Sequence, residues 1–133
     1  MREITLDALI DNIPRLTEYV DEYLDELDCP MKARVQIDVS IDELFCNIAS
    51  YAYPGSVGQA TVRADYADGR FTLTFIDRGV PYNPLLKEDP DTSLSVDERQ
   101  IGGLGIFMVK KAMDGMDYEY SDGRNIVSVY KNF

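Results

Sequence analysis

The spacing of apolar and polar residues predicts two helices in the first half of the chain. Asn12 is a candidate N-cap, and Pro14 follows in the first helical turn, where its missing N–H costs little. Apolar residues then recur every three or four positions, which is the helical period, at Ile13, Leu16, Val20, Leu24 and Leu27. A second helical pattern covers residues 31–53 and is ended by Pro54-Gly55.

Alternation of apolar and polar residues predicts strands in other parts of the chain. The predicted strands cover residues 2–6, 60–67, 71–76, 117–120 and 126–130. Asp68-Gly69 and Ser121-Asp122-Gly123 are turn sequences that join four of them into two hairpins. Residues 77–101, between the hairpins, are rich in proline and charge and show no sustained periodicity, which is typical of a functional lid or a disordered loop. A third helix is predicted over residues 106–113.

The order of these elements favours one α+β domain over residues 1–133, with a lid at about 78–101. Strands joined by hairpins are antiparallel, and three helices are enough to cover one face of the resulting sheet. The sequence therefore predicts a two-layer α/β sandwich, with three main helices on one face of a mixed, mostly antiparallel sheet.

Composition and charge exclude several classes of function. The net charge is −11, from 24 acidic and 13 basic residues, which argues against direct nucleic-acid binding because phosphates require clustered bases. The charge is compatible with a basic protein partner or with solubility alone. No apolar run approaches the roughly 20 residues of a membrane span, and the N-terminus lacks a signal-peptide pattern. We therefore expect no membrane association and a cytoplasmic location.

Cysteine and histidine content narrows the chemistry further. The two cysteines, Cys29 and Cys46, fit reduced thiols better than a disulfide framework or a zinc site. The chain has no histidine, which excludes Ser-His-Asp chemistry, histidine-ligated zinc and a phosphorylated histidine within it. A general base would have to be a carboxylate or a less usual group.

Glu43 and Asn47 form the first candidate site. Residues four apart share one face of a helix, so these two side chains are predicted to lie together. An amide oxygen suits Mg²⁺, and a carboxylate can orient or deprotonate a nucleophile. Taken alone, the pair is better explained as a polar helix edge.

Two further motifs contain an acid or closely spaced glycines. Asp77 ends an apolar strand and can accept a hydrogen bond from an exocyclic amine, while Gly79 lets a ligand approach the backbone. Gly102, Gly103 and Gly105 lead into the third predicted helix, whose N–H groups form an anion site. The alternatives are a turn-forming aspartate and a helix entry without phosphate.

The order of these motifs resembles the Bergerat-fold (GHKL) ATPases, which include histidine kinases and gyrase. Within that family the chain is most similar to the small anti-sigma-factor serine/threonine kinases, on residues 77–84, 101–111 and 122–127. The resemblance implies the histidine kinase-like ATPase fold with ATP and Mg²⁺ as cofactors.

The resemblance also assigns a role to each candidate residue. Glu43 would be the catalytic base, and Asn47 would ligate Mg²⁺. Asp77 would bind the adenine amine and Gly79 would shape the pocket, while the three glycines of the third helix would approach the phosphates. Lys110 or Lys111 is a weaker candidate for a phosphate contact. Tyr51 departs from the family pattern, because relatives often have histidine or another polar residue there.

Two functions follow from the resemblance. The first is transfer of the ATP γ-phosphoryl group to a serine or threonine of an anti-sigma-factor antagonist. The alternative is a nucleotide-gated protein that sequesters a sigma factor or another regulator without significant kinase activity. Glu43 favours the kinase, since a switch alone needs no base. Expected partners are an antagonist, a sigma factor, or both, and a homodimer is a form that family members often adopt.

The predicted lid is acidic. Its acids are expected to face solvent or a partner, because carboxylates facing phosphates would repel them; they are Glu88, Asp89, Asp91, Asp97 and Glu98.

Overall fold

The protein has one antiparallel sheet and three α-helices. The computed structural model describes residues 1–86 and 101–133, with only the backbone described for 101–104. The strands are β1 (Arg2–Asp7), β2 (Gln59–Ala67), β3 (Arg70–Asp77), β4 (Gly115–Ser121) and β5 (Arg124–Asn132). The α-helices are α1 (Ile13–Glu26), α2 (Met31–Asn47) and α3 (Ile101–Ala112). Within these described ranges, no helix is long and apolar enough to cross a membrane.

The sheet has the strand order β1-β2-β3-β5-β4, which puts β3 at its centre. Every strand pair in the described part of the chain is antiparallel, so the mixed pairing allowed by the prediction is not observed there. In the register, Asp77 at the end of β3 lies between Ala60 of β2 and Asn125 of β5. This register brings Asn125 next to a predicted site residue that is distant in the sequence.

The hydrophobic core lies between one face of the sheet and the three helices. Alternate residues of β3, Phe71, Leu73 and Phe75, are fully buried, as the period of a strand requires. The helices cover them with residues at helical spacing, of which Leu16, Leu24, Ile37, Ile41, Phe45, Ile106 and Val109 have no more than 1% of their surface exposed. This arrangement confirms the predicted two-layer sandwich.

The end of the second helix, the start of the third helix and the capping bond of the first differ from the prediction. The second helix changes at Asn47 into a π-helical turn, Ile48–Ala52, which occupies the last part of the predicted helix. The third helix begins at Ile101, so Gly102, Gly103 and Gly105 lie inside its first turns and do not precede it. Asn12 occupies the N-cap position, but its side chain makes no capping bond and donates instead to the carbonyl of Asp7 at 2.9 Å. Most of the predicted lid, residues 87–100, lies outside the described residues.

A carboxyl pair and an arginine join α1 to α2. Asp38 of α2 hydrogen-bonds to Asp21 of α1, and Arg34 forms an ion pair with Asp25 at 2.5 Å. Burial, followed by the hydrogen bond and negative charge of Asp21, raises the pKa of Asp38 to about 7. Asp38 therefore takes up a proton in the folded state at a pH where the unfolded chain has already lost it.

Replacing Asp38 by asparagine is expected to stabilise the protein at pH 8 by about 1 kcal/mol, and by less at pH 5. Between the unfolded pKa near 4 and the folded pKa near 7, the folded state binds the extra proton, so stability falls as pH rises. Asparagine stays neutral and can still donate to Asp21. Urea unfolding at both pH values measures the effect, with exposed Asp117→Asn as the control. An equal change at both pH values would contradict this prediction.

Candidate functional site

A pocket opens between the C-terminal end of α2 and the end of β3, with about 410 Å³ of atom-free space when open solvent is included. Its wall is largely apolar, and only a few of the side chains that line it are polar or ionisable. The lining residues that bear on function are Asn47, Tyr51, Phe75, Asp77, Val80, Tyr82 and Asn125. A mostly apolar pocket with a small number of polar groups is the usual form of a small-molecule site.

Asp77 is the carboxylate of this pocket. It continues the apolar face of β3 two residues after Phe75, so its side chain enters the helix-facing side of the sheet, where it is 5% exposed. One carboxylate oxygen, Oδ1, accepts from the backbone N–H of Gly79 at 2.9 Å and from Asn125 Nδ2 at 3.0 Å. The other oxygen, Oδ2, accepts no hydrogen bond from the described residues. The pocket thus has a fixed hydrogen-bond acceptor with capacity for a ligand donor.

Asn125 holds Asp77 in place and was missed by the sequence analysis. Its buried amide donates to Asp77 and, at 2.9 Å, to the carbonyl of Val80. Its oxygen accepts from the backbone N–H of Tyr82 at 3.1 Å and from the hydroxyl of Tyr118. One side chain therefore connects β3, β4 and the loop after β3. Asn125 is two residues before Val127 and therefore lies on the same, apolar face of β5. The predicted strand began at residue 126, one residue too late to include it.

Gly79 allows the loop after β3 to pack against the π-helical turn. A Cβ atom at this position would lie 2.2 Å from the carbonyl oxygen of Ala52. The next residue, Val80, donates its N–H to that same oxygen at 2.9 Å. The sequence motif suggested that Gly79 admits a ligand to the backbone, and the family resemblance implied that it shapes the pocket. The contact seen is with Ala52, so this glycine shapes the pocket by letting two backbone segments meet.

Glu43 lies against Gly105 of α3, one helical turn before Asn47. A Cβ atom on Gly105 would lie 2.0 Å from Glu43 Oε2, so the glycine leaves the space that the carboxylate occupies. Burial, followed by the negative charge of Asp42, raises the pKa of Glu43. Among the described residues Glu43 does not line the pocket itself, whereas Asn47 does. The fold therefore brings the predicted base to the glycine segment at the border of the pocket.

Asn47 and Tyr51 form the outer side of the pocket. The half-buried amide of Asn47 makes no hydrogen bond to the described residues, so its oxygen is available to a ligand or a cation. Tyr51 stacks on Tyr82 with ring centres 6.2 Å apart, and 47% of its surface is exposed. In the described part of the chain, no group of three or more acidic or cysteine side chains is arranged to hold a metal ion. A cation bound at Asn47 would need further oxygen ligands from a bound molecule or water.

The glycines and lysines of α3 lie at opposite ends of the helix. Gly102 and Gly103 are in its first turn, where free N–H groups favour an anion. Lys110 and Lys111 are in its last turn, about 10 Å away at 1.5 Å per residue. The Lys111 ammonium lies 5.5 Å from the ring centre of Phe107 on the same helix. This placement argues against either lysine as a contact for an anion bound at the glycines.

Comparison with known proteins agrees with this geometry. Residues 6–131 match the protein family described as histidine kinase-like ATPase domain. The chain is 27% identical to the serine/threonine-protein kinase BtrW of Bordetella bronchiseptica, over 71% of this chain and 67% of that protein. It is 24% identical to the anti-sigma F factor of Caldanaerobacter subterraneus, over 74% and 69% of the two chains.

A solved structure shows the same fold. The structure of the RsbU and RsbW domains of a Mycobacterium tuberculosis protein superimposes with a TM-score of 0.70 at 20% identity, covering 98% of this chain. The present chain spans 31% of that solved chain. The similarity therefore concerns one domain of a larger protein.

Proposed function

Since the chain belongs to the family of histidine kinase-like ATPase domains, we propose that it is a protein serine/threonine kinase. It binds ATP with Mg²⁺ and transfers the γ-phosphoryl group to a hydroxyl of an anti-sigma-factor antagonist. The observation that carries the proposal is the position of the Glu43 carboxylate. It lies against Gly105, one turn from Asn47 and next to a pocket with a fixed acceptor, Asp77.

The pocket around Asp77 suits the adenine ring of ATP. The ring has two apolar faces, and the pocket provides Ile48, Ala52, Phe75 and Val127 as walls. The exocyclic amine of adenine is a donor, and Asp77 Oδ2 is the matching acceptor. A hydrogen bond from a neutral donor to a buried carboxylate is worth about 1.5–3 kcal/mol. Asp77 therefore selects a base with a donor at this position.

The phosphates belong on the side of Asn47, Gly102, Gly103 and Gly105. The N–H groups of the first turn of α3 attract anions, and Gly102 and Gly103 lie in that turn. Asn47 would hold Mg²⁺ through its amide oxygen, which fits because that amide has no partner among the described residues. The ion would supply positive charge to neutralise the phosphates, with their oxygens and water as its other ligands.

Glu43 provides the base for the transfer. The acceptor hydroxyl attacks the γ-phosphorus, the bond from that phosphorus to the bridging oxygen breaks, and ADP leaves with the bond electrons. The hydroxyl proton passes to Glu43, whose raised pKa makes it a stronger base than an ordinary carboxylate. Gly105 matters here because any larger side chain would displace the carboxylate.

The names of the relatives support the proposed partners. One relative is named a serine/threonine-protein kinase and another an anti-sigma F factor. We place the protein in the same kind of circuit, in the cytoplasm, with an antagonist protein as substrate and a sigma factor as the bound target. The second relative also favours the alternative function, in which bound nucleotide gates sequestration of a sigma factor without significant phosphoryl transfer.

Incubation with radiolabelled ATP tests the kinase. In Mg²⁺, label from the γ-position is expected on a serine or threonine of an antagonist-type protein from the same organism, and EDTA is expected to prevent labelling. Asn47→Ala is expected to lower the rate about tenfold or more because the ion loses its ligand from the chain. Asn132→Ala, at the exposed C-terminal end of β5 and outside the pocket, serves as the control. ATP binding without any labelled acceptor would favour the sequestering alternative.

A further inference from the structure

Two arginines that form no ion pair with the described residues lie on the sheet face that the helices leave open. Arg78 follows Asp77 and Arg124 precedes Asn125, and Asp77 and Asn125 are opposite each other in the β3–β5 ladder. Because side chains alternate between the faces of a sheet, the two arginines point away from the nucleotide pocket. Both line one groove together with Arg63 of β2.

The charges in this groove are unlike those of the chain as a whole. The chain has 13 basic and 24 acidic residues, yet three of its arginines line this groove. The groove is also lined by two acidic residues, and both have other partners. Glu3 forms an ion pair with Arg63 at 2.7 Å, and Asp77 accepts hydrogen bonds from Gly79 and Asn125 through Oδ1. In the described part of the chain, Arg78 and Arg124 form no ion pair. Arg78 and Arg124 adjoin a directly opposed residue pair, so their like charges lie near each other, and an anion between them would relieve the repulsion.

The fold holds the backbone of both arginines in place. The N–H of Arg78 donates to the Tyr53 hydroxyl at 2.9 Å, and that hydroxyl donates to the carbonyl of Gln59 at 2.6 Å. Arg124 is fixed by its neighbour Asn125, which has a buried and fully engaged amide. The two charges are therefore attached to rigid positions, although each side chain can still adjust to a ligand.

The extent of the groove indicates the kind of ligand. It is lined by residues of β1, β2, β3 and β5, from Thr5 to Arg124, and holds about 910 Å³ of atom-free space. Four adjacent strands span about 14 Å, because neighbouring strands lie about 4.8 Å apart. A single phosphate ion is too small to reach from Arg63 to Arg124. An extended peptide of about four residues would cross all four strands at about 3.3 Å per residue.

We propose that this groove binds an acidic segment of a partner protein, with carboxylates held by Arg78 and Arg124 and a further contact at Arg63. Guanidinium groups bind carboxylates through paired hydrogen bonds, and the hydroxyls of Thr5 and Thr61 offer additional polar contacts. The site lies on the opposite face of the sheet from the nucleotide pocket, so it serves recognition of a partner and takes no part in phosphoryl transfer.

Binding of a fluorescein-labelled deca-glutamate peptide tests the proposal by fluorescence anisotropy. At 0.1 M NaCl, where the overall negative charge is largely screened, the wild-type protein is expected to bind the peptide. Arg78→Gln/Arg124→Gln is expected to weaken binding about tenfold, and the charge-reversed Arg78→Glu/Arg124→Glu pair more strongly. The matched control is Arg15→Gln/Lys32→Gln, which removes the same charge from exposed positions on α1 and α2.

Three outcomes would overturn the proposal. The first is a wild-type protein that does not bind the peptide, and the second is an equal loss in the control pair. The third is displacement of the peptide by millimolar inorganic phosphate, which would identify a small-anion site. ATP binding and thermal unfolding of each variant are measured in parallel. Loss of peptide binding in the arginine variants, with ATP binding intact, supports the proposed groove. Failure of the wild-type protein to bind ATP would refute the proposed kinase, and the peptide-binding results alone would then decide on the groove.

Discussion

Replacing Glu43 by glutamine is expected to slow phosphoryl transfer by roughly 10²–10⁴-fold while changing ATP affinity by less than about threefold. The amide has the same size as the carboxylate and fits the space beside Gly105, so the variant is expected to keep the fold of the site. It cannot accept the hydroxyl proton. The rate is measured as transfer of the γ-phosphoryl group to the antagonist, and affinity is measured separately by calorimetry.

The pH dependence separates a base from a residue that only positions its neighbours. In the wild-type protein the rate is expected to rise as pH passes through the raised pKa of Glu43, since only the ionised carboxylate accepts a proton. The glutamine variant is expected to lack this limb of the profile. Glu18→Gln, at an exposed position of α1, is the matched control and should retain both rate and profile. Unchanged transfer in the Glu43 variant would remove this residue from the mechanism.

Local sequence patterns were sufficient to predict the layers of the fold. The β3 strand was predicted to within one residue at each end. Phe71, Leu73 and Phe75 alternate with threonines, and this alternation indicates a strand with one face buried in the core. Helix α1 was found from its apolar stripe for the same reason. The end of α2 was missed because the π-helical turn Ile48–Ala52 continues the apolar pattern while it changes the backbone.

The partners of the candidate residues could not be predicted from local patterns. Gly79 and Gly105 were selected as glycines near phosphates or a ligand, but in the structure Gly79 packs against Ala52 and Gly105 against Glu43. Those contacts join segments far apart in the chain and depend on how α2 packs against α3 and against the loop after β3. Spacing on one helix placed Glu43 beside Asn47, yet it contained no information on the residue facing that pair.

The role of Asn125 could not be predicted from local sequence either. Its importance comes from the β3–β5 register, which sets it opposite Asp77, and that register is determined by the packing of two strands separated by a helix and a hairpin. Polar residues at strand ends are common, so composition alone did not distinguish Asn125 from a turn residue. A buried amide with all its hydrogen bonds made is recognisable only once its partners are known.

Replacing Asp77 by asparagine is expected to weaken ATP binding about 100-fold with little loss of stability. The new side chain can keep its oxygen at the Oδ1 position, accepting from Gly79 and Asn125, so the loop after β3 retains its anchor. The amide nitrogen then replaces Oδ2. It would present a donor to the donor amine of adenine, which leaves two donors facing each other without an acceptor and also removes the negative charge.

Nucleotide selectivity provides the decisive measurement for this variant. Inosine triphosphate has a carbonyl in place of the adenine amine, so the variant is expected to lose much less affinity for it, and the preference for ATP should fall by at least tenfold. Asp68→Asn is the matched control, because it makes the same change at an exposed turn where φ is 52° and asparagine is tolerated. If Asp77→Asn lowered affinity for both nucleotides equally, the residue would be acting through the structure of the loop. If neither affinity changed, the adenine ring would not bind at Asp77.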